Sequence, residues 1–536
     1  MHTPQTPSLD VRPGPDRDGI HVVWLKRDLR LADHWPLVRA CHAGPVIGLY
    51  AFEPSVWRAP DASRGQLDFA VQCLDELRAG WTRLGGTLLV RVAEMPGALD
   101  ELDRALRASI GRGIAALWSH EETGNAVTHM RDIRVGRWCR ERGVRWTEIP
   151  QNGVIRRLRS RDGWAQRWQE RMDAAQAAIP ERIPSPALPA GVPNGEIPTA
   201  AELGATGTVM AEAKHGGEYA AREELLSFLE RRGIDYQRDM SSPVRAFGGC
   251  SRLSPHLAWG AISIRQVSQR LDAHVAELRE RQRSAHDRPD RRWFASLRSF
   301  AARLRWHCHF MQKLESEPEI EHRNVNRAFD GLREDSWDTE RSQLRFEAWK
   351  AGRTGYPMVD ACMRALHAGG WINFRMRAML ASFSSYHLWL HWREPSVYLA
   401  RQFVDYEPGI HYPQFQMQSG VTGINTVRIY SPAKQVLDHD PSGIFIRRYL
   451  PELANVPDEF LAEPHAMPLM TQHMARCVIG VDYPAPIVDH ASAYAHAKSA
   501  IFARRGAAGT RAESRRVLVA HGSRKRPGHP RQSGTP

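Results

Sequence analysis

The hydrophobic pattern of this chain changes its period once, well before the midpoint. From residue 21 to about 150, short apolar runs alternate with amphipathic stretches such as LDFAVQCLDELRAGWTRLG. The apolar runs are HVVWLK, VIGLYAF, GTLLVRV, AALWSH and VRWTEIP. Such alternation predicts an α/β domain in which helices cover a parallel sheet. From residue 217 to about 503 the apolar residues recur at helical spacing, so the second domain is predicted to be helical.

The segments outside these two domains differ from them in composition. A connector is predicted at residues 151–216, because its stretch from 179 to 207 is rich in proline and glycine. Residues 1–20 and 504–536 are predicted to be disordered. The second of these ends has nine Lys or Arg residues and one acidic residue, so it holds most of the net charge of +13.

The overall charge and the cysteine pattern narrow the classes of function. A sequence pI of about 9.7 indicates a polyanionic partner, of which nucleic acid is the first candidate. No apolar run reaches the roughly 20 residues of a membrane helix, and the polar N-terminus is unlike a signal sequence, so a cytoplasmic location is predicted. Seven cysteines without a CxxC pair indicate reduced thiols.

Two segments carry pairs of histidines close together in sequence, but the spacing in neither segment predicts a metal site. In WHCHF, His307 and His309 are two residues apart, and such positions diverge on a helix. The segment HEETGNAVTH lacks the HExxH spacing of zinc enzymes.

Two further segments combine polar and apolar residues in an unusual way. GGCSRLSPHLAWGAIS has Ser251, Arg252 and Ser254 at a predicted helix start, which suits either a phosphate site or an ordinary N-cap with a solvated Arg. GRTGYPMVDACMRALHAGGWINFRMRAM sets Arg375 and Arg377 among apolar residues. A buried guanidinium is tolerated only when an anion pairs with it.

Four segments together resemble the photolyase and cryptochrome family. VVWLKRDLRLADHWPL is similar to its first strand and loop, and GRTGYPMVDACMRAL with GWINFRMR is similar to its flavin-domain core. IYSPAKQVLDHDPSGIFIRRYLPEL is similar to the segment after the flavin pocket, and GGCSRLSPHLAWG to the phosphate motif. The resemblance implies an α/β antenna domain, a connector and a helical domain that binds FAD.

The resemblance also implies a set of FAD-binding residues. Arg377 and Asp405 correspond to the Arg–Asp pair beside the flavin, and Glu407 keeps a carboxylate for the ring N–H. His411 corresponds to the residue near the reactive flavin nitrogen, where a histidine is expected to titrate near neutral pH. The other implied contacts are Asn373 beside the ring and, at the diphosphate, Tyr236, Ser251, Leu253 and Ser254.

The implied electron relay departs from the family pattern. Trp392 and Trp337 correspond to the middle and surface members of the usual three tryptophans. The member next to the flavin is absent, and the candidates that replace it are Tyr412, Phe415 and Trp389.

The implied lesion pocket is incomplete. Trp306 corresponds to a tryptophan that stacks on damaged bases flipped out of DNA. Met417 and Arg303 replace a Trp and a carboxylate that are common in dimer-repairing members. Phe374 and Ala378 occupy the positions of the paired histidines of the (6-4) type. The sequence therefore does not identify the type of lesion.

The function expected from these features is blue-light-driven repair of UV-induced pyrimidine dimers by electron transfer from reduced FAD. This is the carbon–carbon lyase reaction of a deoxyribodipyrimidine photolyase, with UV-damaged DNA as the partner. The implied catalytic residues are Trp306, Trp392, Trp337, Arg377 and Asp405. A monomer is expected, with a second antenna chromophore of unknown identity near Glu121 or Glu122.

Two alternatives remain. The first is a cryptochrome, a blue-light receptor that photoreduces FAD and signals to a partner. The second is a flavin or nucleic-acid binder without photochemistry. The changes at Met417 and Arg303 favour signalling or an unusual lesion, whereas Trp306 and the flavin motifs favour repair.

Overall fold

The computed structural model has an α/β domain followed by a larger helical domain. It describes residues 19–188, 191–283, 289–337 and 339–523. The disorder predicted for residues 1–18 and 524–536 lies outside the described residues.

A five-stranded parallel sheet, in the order β3-β2-β1-β4-β5, forms the centre of the α/β domain. The strands are β1 Ile20–Leu25, β2 Val46–Phe52, β3 Thr87–Val92, β4 Ile114–His120 and β5 Arg145–Ile149. Every residue of β1 is buried, as expected for a central strand covered on both faces. The predicted parallel sheet is confirmed.

Helices cover both faces of this sheet. They are α1 Trp35–Ala43, α2 Pro54–Trp57, α3 Arg64–Arg83, α4 Gly97–Ile110 and α5 Ala126–Arg142. Leu74 and Trp81 of α3 belong to the apolar core on one face, and Leu99 and Leu106 of α4 belong to the core on the other.

The connector runs along the edge of the sheet. It contains α6 Trp164–Asp173 and the short α7 Ala200–Leu203. The Ile183 amide donates to the Leu84 carbonyl at 2.8 Å, and the Val90 amide of β3 donates to the Asn194 carbonyl at 2.9 Å. The connector therefore covers edge strand β3, whose free backbone groups would otherwise be open to pairing.

The rest of the described chain is helical, as predicted. Its helices are α8 Glu218–Glu230, α9 Tyr236–Asp239, α10 Ala246–Gly249, α11 Ser254–Ala258, α12 Ile264–Arg283, α13 Arg292–Ser316, α14 Glu340–Lys350, α15 Pro357–Gly369, α16 Phe374–Ser382, α17 Arg393–Gln402, α18 Pro408–Gln418, α19 Pro432–His439, α20 Ile444–Tyr449, α21 Leu469–Met474, α22 His490–Gly506 and α23 Ala508–His521. A π-helical turn, Phe383–His387, extends α16. Within the described ranges, no helix has the length and apolar character needed to cross a bilayer.

The predicted disordered tail from residue 504 is wrong for the part that the structure describes. The end of α22 and all of α23 are helical. Val517 and His521 are one helical turn apart and both are buried. His521 Nε2 lies 2.6 Å from Glu317 Oε2, and Arg516 donates to the Val325 carbonyl at 2.7 Å. The basic composition of the segment from residue 504 predicted disorder, although α23 has a buried face.

The two domains share one apolar core, which includes Val23 and Tyr50 of the sheet and Trp259 of the helical domain. Trp57 stacks on Trp259 with ring centroids 5.8 Å apart. Arg27 donates from Nη1 to the Tyr406 carbonyl at 2.7 Å, and its guanidinium lies 4.7 Å from the Trp259 ring centroid. The domains are therefore joined through packed side chains as well as through the connector.

Candidate functional site

The segment GRTGYPMVD folds around one buried carboxylate. Asp360 accepts hydrogen bonds from the Thr354 amide and hydroxyl at 2.8 and 2.7 Å, from the Gly355 amide at 3.1 Å and from the Tyr483 hydroxyl at 2.6 Å. These bonds hold the turn before α15. Because α15 packs beside α16, the turn also holds the helix that carries Arg377.

Arg377 and Asp405 form a two-point ion pair. Nη1 and Nη2 of Arg377 lie 2.9 and 2.8 Å from the two carboxylate oxygens of Asp405. Arg377 Nε donates to the Ile372 carbonyl at 2.8 Å, and the guanidinium lies 4.0 Å from the ring centroid of Phe403. This pairing explains why an Arg occurs in an otherwise apolar helix.

A second carboxylate and a histidine lie at the start of α18. Glu407 is the N-cap residue of α18, and its Oε1 is 3.7 Å from Nε2 of His307 on α13. Burial alone would lower the pKa of His307, but hydrogen bonding to Cys308 and Glu407 outweighs it and raises the pKa to about 10. His307 is therefore a cation at neutral pH.

His411, one turn into α18, does not behave as expected. Its Nε2 donates to the Ser396 carbonyl at 2.7 Å, and its ring contacts Phe403, Tyr406, Tyr412 and Phe415. Burial lowers its pKa to about 4. The expected titration near neutral pH is thus corrected, since this imidazole is neutral at pH 7.

The GGCSRLSP motif contains a buried guanidinium, that of Arg252. Arg252 is 6% exposed, and its guanidinium lies 4.1 Å from the ring centroid of Trp371. Trp371 in turn donates from Nε1 to the Ser254 hydroxyl at 3.2 Å. Among the described residues, no carboxylate lies within 4 Å of Arg252, and its Nε has no hydrogen-bond partner. An unpaired buried cation of this kind is suited to an anionic ligand.

The other predicted cofactor contacts lie on the neighbouring elements. Tyr236 is buried at the start of α9 against Phe228 and Phe300, and Leu253 is buried just before α11. Asn373 is the N-cap residue of α16, and its side chain donates to the Met240 carbonyl at 3.1 Å.

The predicted relay residues fall into two groups. Trp392 is fully buried, and its ring centroid is 6.5 Å from that of Tyr412, in an edge-to-face arrangement. Trp337 packs against Phe346 in a separate aromatic group. The Ser336 hydroxyl accepts from the His391 amide at 2.9 Å, so chain neighbours of Trp337 and Trp392 are in contact.

Trp389, the alternative tryptophan, has a different environment. It lies at φ +56°, and the guanidinium of Arg333 is 4.4 Å from its ring centroid. Arg333 is 1% exposed. A cation held against the ring opposes loss of an electron from that ring, so Trp389 is a poor relay member.

Trp306 is the large aromatic side chain most open to solvent on α13. It is 42% exposed and stacks on Phe310 with ring centroids 5.6 Å apart. Arg303, one turn earlier, is also exposed, and its Nη2 lies 3.8 Å from the Met240 sulfur. The carbonyl of Met240 accepts from Asn373, so Trp306 and Arg303 lie on the same side of the domain as α16.

Comparison with family models matches both domains. Residues 21–163 match the DNA photolyase model, and residues 300–503 match the model of the FAD-binding domain of DNA photolyase. This chain belongs to the photolyase and cryptochrome family.

Named relatives and solved structures support the assignment to the photolyase and cryptochrome family. The chain is 26% identical to the deoxyribodipyrimidine photo-lyase of Alkalihalophilus pseudofirmus over 88% of this chain and 96% of that protein. It is 28% identical to the cryptochrome DASH of Gloeobacter violaceus over 87% and 93%. The fold is similar to that of a class III photolyase from Agrobacterium tumefaciens, with a TM-score of 0.74, 25% identity and coverage of 91% and 98%.

The residues present fit the FAD that the photolyase and cryptochrome family binds. The unpaired guanidinium of Arg252 with the hydroxyls of Ser251 and Ser254 suits the diphosphate. Arg377 would supply positive charge for an anionic ring, and Glu407 would supply a hydrogen-bond acceptor. FAD would contribute light absorption and one-electron chemistry, while these side chains would bind and orient it.

A separate cavity lies at the carboxyl ends of the strands, where a second chromophore was predicted. It is partly open to solvent and includes Glu122 but not Glu121 among its lining residues. Glu122 pairs there with Arg131, which also lies 3.2 Å from Glu53. Burial raises the pKa of Glu53 to about 7. The walls of the cavity are strongly charged, since they include Lys26, Glu53 and Arg131 as well as Glu122.

Three buried residues come together in the α/β domain: Asp28 and His34 from the loop after β1, and His120 from the end of β4. Asp28 Oδ2 lies 3.1 Å from His34 Nε2 and 2.8 Å from His120 Nδ1, a grouping that resembles a metal site. However, His34 Nδ1 accepts from the Leu37 amide, so Nε2 bears the proton and donates to Asp28. The group therefore serves as a hydrogen-bonded link between the loop after β1 and the end of β4.

Sequence reasoning missed several residues that contact the predicted site residues. His307 was set aside with the metal candidates, yet it faces Glu407. Trp371 stacks on Arg252, and Asp61, in the loop before α3, contacts Tyr406 and Tyr412. These partners are far apart in the chain, so no local pattern identifies them.

Proposed function

We propose that this protein is a deoxyribodipyrimidine photolyase that repairs UV-induced pyrimidine dimers in DNA under blue light. The exposed face of Trp306 carries this proposal. A soluble domain usually buries so large an aromatic ring, and base stacking on such a ring contributes about 1–3 kcal/mol per base. In this function Trp306 stacks on the damaged bases after they leave the duplex.

In this proposal the remaining site residues contact either the cofactor or the DNA. Arg377, Asp405, Glu407, Asn373 and Arg252 bind and orient FAD, whose reduced form supplies the electron that opens the dimer. Arg303 is exposed one helical turn before Trp306, and its guanidinium is the group that contacts a DNA phosphate in this proposal. The substrate is UV-damaged DNA, and the protein acts as a monomer in the cytoplasm.

The test is repair of oligonucleotides that carry either a cyclobutane dimer or a (6-4) lesion. The purified protein is first reduced with dithionite and then assayed under blue light and in darkness. Light-dependent restoration of one lesion supports the proposal and identifies the substrate. If neither lesion is repaired although FAD is bound and reduced, the photolyase function is excluded for these lesions, and the cryptochrome alternative replaces it.

Trp306→Ala and Trp293→Ala form a matched pair for the role of Trp306. Both residues lie on α13 and are separated by 13 positions, or about 20 Å along the helix. We expect Trp306→Ala to weaken binding of lesion DNA by about tenfold or more without loss of FAD, and Trp293→Ala to leave that affinity unchanged. Equal losses for both variants would remove Trp306 from the proposed site.

A further inference from the structure

Asp61 of the α/β domain lies beside two tyrosines of the helical domain. Its Oδ2 accepts the Tyr406 hydroxyl at 2.6 Å and the Asn125 amide at 2.9 Å, and the Tyr412 hydroxyl lies 3.3 Å from the same oxygen. Asp61 is 6% exposed and Tyr412 is fully buried. One carboxylate oxygen of one domain is thus within reach of two phenolic protons of the other.

Tyr412 also lies between the flavin-binding ion pair and Trp392. The guanidinium of Arg377 packs on Phe403, Phe403 contacts His411, and His411 contacts Tyr412 with ring centroids 5.5 Å apart. Trp392 follows at 6.5 Å. This unbroken series of ring contacts leads from the Arg377–Asp405 pair to a tryptophan already assigned to the relay.

We propose that Tyr412 is the inner carrier of the electron relay and that Asp61 accepts its phenolic proton when Tyr412 is oxidised. The oxidant is photo-excited oxidised flavin, which takes one electron from Tyr412. The O–H bond of Tyr412 breaks, the proton binds Asp61 Oδ2, and a neutral tyrosyl radical and a neutral carboxylic acid remain. One electron from Trp392, with return of the proton from Asp61, restores the phenol and the carboxylate.

The charges around Tyr412 explain why the proton must move. The guanidinium of Arg393 lies 5.2 Å from the Tyr412 ring centroid, so a tyrosyl radical cation would face a like charge in a buried site. Glu321 and Asp61 are the acidic groups that act on Tyr412 electrostatically. Asp61 is the one of these carboxylates within hydrogen-bond reach of the hydroxyl.

The other candidates for the inner position are less suitable. Phe415 has no hydroxyl or indole group to oxidise, and Arg333 opposes oxidation of Trp389. Tyr406 also donates to Asp61, but the tyrosine whose ring contacts Trp392 is Tyr412.

The variants that test this inference are Tyr412→Phe, Asp61→Asn and the control Tyr386→Phe. Asp61→Asn keeps an oxygen that accepts hydrogen bonds but removes the proton acceptor. Tyr386 is a buried tyrosine whose hydroxyl has no hydrogen-bond partner in the part of the chain that the structure describes, so its loss removes no proton path there. FAD content and thermal unfolding of each variant show that the fold is retained.

Two signals are recorded while oxidised FAD is photoreduced with an external thiol. They are the rate of flavin reduction, and the neutral tyrosyl radical in electron paramagnetic resonance. We expect Tyr412→Phe to remove the radical and both Tyr412→Phe and Asp61→Asn to slow reduction by about tenfold or more, with Tyr386→Phe unchanged. The wild-type rate should fall in D₂O, and Asp61→Asn should lose that solvent isotope effect.

A wild-type rate and radical in Asp61→Asn, or in Tyr412→Phe, would overturn the inference. If Asp61→Asn does not fold, the solvent isotope effect on the wild type and its loss in Tyr412→Phe decide the matter. The inference rests on the FAD site of the proposed function but not on repair. With FAD already reduced by dithionite the relay is bypassed, so all three variants should repair as the wild type does, and failure of the wild type to repair would concern only the proposed function.

Discussion

The two charges of the Arg377–Asp405 pair differ in exposure: the Asp405 side chain is 2% exposed and that of Arg377 is 26%. The Asp405 carboxylate is therefore buried against the guanidinium, whereas one side of the Arg377 guanidinium remains accessible to a ligand. A pair built in this way can hold an anionic ring against Arg377 without giving up its internal hydrogen bonds.

Replacement of Arg377 separates its structural role in the ion pair from its proposed role in FAD binding. Arg377→Met leaves Asp405 buried without a partner and is expected to lower the free energy of unfolding by about 3–5 kcal/mol. Arg377→Lys keeps the charge but not the two-point geometry, so a smaller loss of stability and weaker FAD binding are expected. Denaturant unfolding of the apoprotein and FAD titration measure the two effects. Equal stability of Arg377→Met and the wild type would show that the pair has no structural role.

The His307–Glu407 contact predicts a pH dependence. The folded pKa of His307, about 10, exceeds its ordinary value of 6.5, so folding favours the protonated form. The resulting stability is fully present below about pH 6.5 and is lost as the pH rises through 10. His307 and Glu407 both line a second cavity that is partly open to solvent. With allowance for screening by that solvent, the loss should be on the order of 1–3 kcal/mol. Urea unfolding at several pH values measures it, and the decline should be smaller in His307→Gln.

The domain junction depends on a glycine. Gly260 has φ +69°, and a Cβ atom there would lie 2.3 Å from the Arg27 carbonyl oxygen and 2.5 Å from the Asp28 Cα. Gly260→Ala is expected to destabilise the protein by about 2–4 kcal/mol through backbone strain and displacement of this loop. Gly248→Ala is the control, because a Cβ atom at Gly248 has no neighbour within 4 Å. Thermal unfolding should shift downward only for Gly260→Ala.

Two truncations distinguish the helical end of the described chain from the residues beyond it. Removal of everything after Gly506 exposes the surface that buries Val517 and should lower the free energy of unfolding by about 2 kcal/mol or more. Removal of residues 524–536 should leave stability unchanged. It removes four Lys or Arg residues, so the salt dependence of non-specific DNA binding should become weaker. A fall in stability with the shorter deletion would contradict this division.

The features that could be predicted from sequence are those that depend on local periodicity. The strands of the sheet and the long helices follow from the spacing of apolar residues, as in β1 and α13. The pairing of Arg377 with Asp405 came from family resemblance, and the structure bears it out at 2.8–2.9 Å. The environment of His411 was not predictable, because burial among rings from other parts of the chain lowers its pKa, and this effect outweighs the bond to the Ser396 carbonyl on another helix, which acts to raise it. Asp61 was missed for a similar reason, since its loop has no pattern of its own.

The contacts of Asp61, Arg27 and Trp57 with the helical domain limit how freely the two domains can be exchanged between relatives. A chimera that takes its first 150 residues from another member would replace position 61 together with the whole α/β domain. It would bind FAD through its own helical domain and yet inherit a foreign proton acceptor beside Tyr412. The α/β domain of this protein therefore cannot be exchanged without a change in the electron relay of the helical domain. We expect substitutions at position 61 and at Tyr412 to have evolved together.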